Sequence, residues 1–67
     1  MNSGEIRAQL DRLYLEMLEA ESVGLTRCES YMQDLEQEIS ETRAAFVGAS
    51  VTEIAVARAK LQGALVG

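Results

Sequence analysis

The sequence predicts an all-α fold: two helices of about five turns in an antiparallel hairpin, plus a shorter third helix, together a small three-helix bundle. Three observations predict it. The chain has no proline, only Tyr14, Tyr31 and Phe46 as aromatics, and an abundance of the residues that form helices best, Leu, Ala, Glu, Gln and Arg. Its apolar residues recur at spacings of three and four. One skeleton, Val-Gly-x-[Thr/Ser]-x-x-Glu, occurs twice, as VGLTRCE over 23–29 and VGASVTE over 47–53.

The twofold skeleton reads as punctuation. Glycine just past a helix takes the left-handed conformation that closes its last turn. Ser or Thr, followed three residues later by Glu, caps the next helix through the capping box. Gly24, Thr26 and Glu29 fill those places in the first copy, and Gly48, Ser50 and Glu53 in the second. Asn2 with Glu5 makes a similar start near the N-terminus. The predicted helices are therefore about 3–22, 27–46 and 51–65.

Each span carries an apolar stripe. The first has Ile6, Leu10, Leu13 and Met17, flanked by Tyr14 and Leu18. The second has Cys28, Met32, Leu35, Ile39, Thr42 and Phe46, and the third Val51, Ile54, Leu61 and Leu65. Such seams suit shallow antiparallel packing. A single rod running through Gly24 is the competing arrangement, because glycine inside a helix costs only about 1 kcal/mol. The first two seams join only through a stutter that puts Glu21 on the seam. A phase break, a glycine and a cap at one place favour a turn.

Sixty-seven residues make one small domain whose core is marginal alone. Cys28 is the single cysteine and there is no histidine, so neither an internal disulfide nor a usual zinc site can supply the missing stability. Helix packing and association with another chain remain.

The third helix identifies the surface for that association. Beside its larger face it carries Ala55, Ala59, Gly63 and Gly67 at steps of four, a spacing that lets a second backbone come close. Val56 and Val66 add apolar surface elsewhere. A helix apolar most of the way round is buried on more than one side, and two partner helices cover only one. The predicted docking residues are Ile54, Ala55, Arg58, Ala59, Leu61, Gly63 and Leu65, with Arg58 snorkelling at the rim or pairing with an acidic neighbour. Leu15, on the polar side of the first helix, points weakly the same way.

The remaining candidates for chemistry read as structure. Ten of the eleven carboxylates precede residue 42, and Glu16, Glu19, Asp34, Glu36, Glu38 and Glu41 lie opposite the apolar stripes as a solvated face. Cys28 lies on the core stripe without a basic partner such as His to activate it. Tyr14 and Tyr31 read as boundary residues with wet hydroxyls. No phosphate loop, zinc-protease motif or calcium loop is present. These readings predict no enzyme activity and no cofactor.

A net charge of −5 disfavours nucleic acid and anionic membranes; Arg7, Arg12 and Arg27 are outnumbered by acids on their own helices. No stretch is apolar over the roughly 20 residues of a membrane span. The first ten residues lack a signal peptide's basic start and apolar run, and a lone cysteine suits a reducing cytoplasm. The sequence thus predicts a small acidic interaction module (an adaptor, regulatory subunit or co-chaperone) docking a different helical protein through its third helix. The alternative is a structural, self-assembling homo-oligomer, a homodimer or higher.

Overall fold

A computed structural model describes residues 1–66, with backbone alone for residues 64–66. It is all-helical, and among the described residues it has two α-helices: α1, Ser3–Ser22, and α2, Glu29–Val66, joined by a single 3₁₀ turn at Leu25–Arg27. This corrects the three-helix bundle. The predicted second and third helices are one helix of 38 residues, and the architecture is a helical hairpin with unequal arms. At 1.5 Å per residue α2 is about 57 Å long. The molecule measures 59 × 16 × 13 Å, so its length is essentially that of α2.

The two copies of the skeleton behave differently. Gly24 has φ 80° and ψ 14°, the left-handed conformation, and its N–H donates to the Glu21 carbonyl at 3.4 Å. The chain reverses there. Thr26 then falls inside the 3₁₀ turn, and Glu29 is the first residue of α2. Cys28 occupies the cap place instead: its backbone is extended and its carbonyl accepts the first helical bond, from Met32 N–H at 3.0 Å. The predicted Thr26–Glu29 cap is thus displaced by two residues. Cys28 is also an exposed thiol rather than a core residue.

Gly48, Ser50 and Glu53 terminate nothing. They lie inside α2, and the Gly48 carbonyl accepts a hydrogen bond from Thr52 Oγ1 one turn on, at 3.0 Å. The physical reason is phase. The seam Leu35, Ile39, Thr42, Phe46 continues in the same three-and-four rhythm through Ala49 to Glu53. At Gly24 the seam breaks and the helix stops; at Gly48 it does not break, and the helix runs on at about 1 kcal/mol for the glycine.

The core sits between the arms. Leu10 and Leu13 of α1 pack with Leu35 and Ile39 of α2, and Met17 and Tyr31 cover one end. Ile6, Ala20 and Thr42 are also buried. Polar ties flank this seam. Tyr31 Oη donates to Glu16 Oε1 at 2.8 Å, and the Glu16 carboxylate holds the Tyr31 phenol above its usual range. Arg43 donates to Tyr14 Oη and lies over the Tyr14 ring, and Arg7 lies over Phe46, each guanidinium carbon 5.9 Å from the ring centre. Both tyrosine hydroxyls are therefore held by the opposite arm.

Candidate docking surface

The upper limit of the hairpin is set at the start of α1. Asn2 Oδ1 accepts from Glu5 N–H at 2.8 Å, capping the first turn. Ser3 N–H and Ser3 Oγ both donate to the Glu53 carboxylate, at 2.9 and 2.5 Å. These two bonds hold the Glu53 carboxyl below its ordinary range. Glu53 thus caps α1, fifty residues away in sequence, instead of a third helix. A carboxylate also suits the positive end of the α1 dipole.

Beyond Glu53, α2 continues without α1 beside it. All side chains from Val51 to Gly63 are exposed. One stripe runs through this region at steps of four and three: Val47, Val51, Ile54, Arg58 and Leu61. Its apolar members are strongly exposed, Val47 at 55%, Ile54 at 57% and Leu61 at 65%. Along α2 the stripe lies one residue, or about 100° of helix, from the seam that packs on α1.

The structure brings Ile54, Arg58 and Leu61 together on that stripe. Ala55, Ala59 and Gly63 form a row beside it, and a Cβ added at Gly63 meets open space. The side chain of Leu65, and all of Gly67, lie outside the described residues. Val47 was missed as a member because it was assigned to a turn, although its four-residue step to Val51 is visible in the sequence. On α1, Leu15 and Leu18 make a second, smaller exposed pair.

Charge divides along the same line. Through residue 53 the chain has four arginines and eleven carboxylates; after it come Arg58 and Lys60 and no carboxylate. The surface is therefore an apolar stripe on a basic arm carried by an acidic body. Among the described residues there is no pocket and no cluster of three metal-ligating side chains, and no described helix is long and apolar enough to cross a membrane. The exposed apolar feature is thus the side of a helix and not a cleft. Comparison with protein-family models, curated proteins and solved structures finds no match to the chain.

Proposed function

We propose that the chain is a protein-interaction module and not an enzyme: a rigid acidic hairpin that holds out the far end of α2 for another helix to cover. The observation that carries this reading is the exposed stripe Val47–Val51–Ile54–Leu61 on a helix that has, among the described residues, no neighbour past Glu53. Covering a half-exposed Val, Ile or Leu contributes on the order of 1 kcal/mol. Four such residues contribute about 4 kcal/mol, a large fraction of the stability of a domain this small. No packing protects the helical bonds of the arm, so a partner would steady it as it binds. Protein is the partner class that fits, because an acidic body repels a nucleic-acid backbone. A reducing, cytoplasmic setting belongs to the same reading, since the chain's single cysteine can form no internal disulfide.

The test uses full-length chains. Leu61→Asp and Ala59→Leu are expected to abolish association, whatever the partner, while circular dichroism keeps most of the helix signal. Glu36→Gln, on the solvated face, is the control and is expected to associate as the unaltered chain does. If both arm variants associate as tightly as the control, the docking surface lies elsewhere.

A further inference from the structure

We infer that the helix this arm takes carries one Asp or Glu at the centre of its own apolar stripe, placed to meet Arg58. The inference rests on the docking reading above and names the chemistry of the partner. Its starting point is where Arg58 stands. Along α2 it lies four residues after Ile54 and three before Leu61, inside the exposed apolar stripe and not beside it. Any helix laid on Ile54 and Leu61 therefore lies over Arg58 as well. Arginine does not shed its charge at ordinary pH. Taking its guanidinium out of water is costly unless it is paired.

The chain has no carboxylate to give it. The positions one turn to either side of Arg58 are Ile54, Ala55, Leu61 and Gln62. No carboxylate follows residue 53. Glu53 itself lies five residues back and about 140° round the helix. It is engaged there by Ser3 N–H and Ser3 Oγ, at 2.9 and 2.5 Å. Glu5, in the first turn of α1, accepts from Asn2 Nδ2 at 3.4 Å. Among the described residues the one ion pair is Arg7–Asp11, elsewhere on the hairpin. Arg58 is thus a charge set into an apolar face with its counter-charge still to come.

Complementarity of charge selects the occupant. Ile54 and Leu61 stand about 10 Å apart along the axis. A matching helix has two apolar residues one heptad apart, with a carboxylate three or four residues from each. Helices without that carboxylate leave the guanidinium covered and unpaired, so they are rejected by a penalty. Two other occupants fit less well. A second copy laying the same stripe on this one brings Val, Ile, Leu and another Arg58, but no carboxylate, because Glu53 is off the stripe. A lipid surface suits a helix whose cations lie on its polar side. Here Arg58 is within the apolar stripe, and Lys60 is about 160° round the helix from it. The two cations cannot both meet headgroups while the stripe meets acyl chains.

The test uses the full chain and a displayed library of single helices about four turns long. Each has a fixed apolar seam, with the position midway between two seam residues fully randomised. Helices selected on the unaltered chain are expected to be enriched in Asp or Glu at that position. As free peptides, they should bind about tenfold or more weakly when that acid becomes its amide, or when the chain carries Arg58→Gln. The two changes together should cost little more than either alone. Selection on Arg58→Glu should turn to Lys or Arg at the same position. Arg58 is exposed and outside the hairpin core, so these exchanges leave the fold intact.

Selected helices that lack the acid but are lost on Leu61→Asp overturn the inference and leave the docking reading standing. Helices indifferent to Leu61→Asp, or no bound helix at all, remove both. Self-association in sedimentation equilibrium that disappears with Leu61→Asp assigns the stripe to a second copy and overturns the inference. Binding to phosphatidylserine vesicles that disappears with the same change assigns it to a lipid surface, and also overturns it.

Discussion

At the scale of single residues, two glycines with similar neighbours have opposite roles. Gly24 has a left-handed backbone, which side chains strain to adopt, and no atoms stand where a Cβ would go. Gly24→Ala is therefore expected to cost about 1 kcal/mol through the backbone alone. A Cβ at Gly48 also meets open space, but there the backbone is helical. Gly48→Ala is expected to add about 0.5–1 kcal/mol. Thermal melts of the two variants should move in opposite directions. A fall on Gly48→Ala would mean that a break at that position matters to the folded chain.

Glu53 makes a second residue-scale prediction. Its carboxyl is held below the ordinary range by the hydroxyl and N–H of Ser3, with the hydroxyl bond the larger cause. The stabilisation is complete above the pKa of the unfolded chain. It is lost as the pH falls through the lower, folded value, so the window lies below about pH 4. Glu53→Gln should be less stable than the unaltered chain at neutral pH, and the difference should shrink on acidification below that point. A difference that stays constant from pH 7 to pH 2 would show that the ionised carboxylate has no part in holding the start of α1.

At the scale of elements, the hairpin and the arm differ in what holds them. From Met32 to Phe46, α2 lies against α1 along the buried seam. From Ile54 to Gly63 its helical bonds face water on every side. Local stability follows packing. In dilute solution the amides of 54–63 should exchange with solvent much faster than those of 35–42. Raising the concentration should slow the arm selectively if a second copy covers it. Equal protection in both regions of a monomeric sample would mean that the arm is held by more than its own backbone.

The elements also show what could be read from the sequence. Ser3–Ser22 matches the predicted first helix because cap, stripe and stop agree there, and the buried Leu10, Leu13, Leu35 and Ile39 all lie on stripes visible from spacing alone. The break at residue 48 failed because local signals were weighed without the phase. Glycine and Ser-x-x-Glu permit a stop, but an uninterrupted seam rewards continuing. Cys28 was misplaced because it stands at the first helical bond, before the seam begins. The Ser3–Glu53 contact had no local signal at all. It exists only because the turn at Gly24 brings α1 back along α2 to that height. The exposed stripe was partly legible, from Val51 onward, since a helix apolar on two faces can be recognised without knowing where its neighbour ends.

At the scale of the whole molecule, charge is divided along the length. The body bears nearly all the negative charge and the arm carries the excess of positive.

The long dimension has a hydrodynamic consequence. A body of 59 × 16 × 13 Å is roughly four times as long as it is wide. It drags like a rod, and on a sizing column one copy should emerge early, where a compact protein of greater mass would. Elution volume alone would then report a pair where there is one chain. Small-angle scattering would separate the two, because its forward intensity reports mass independently of shape.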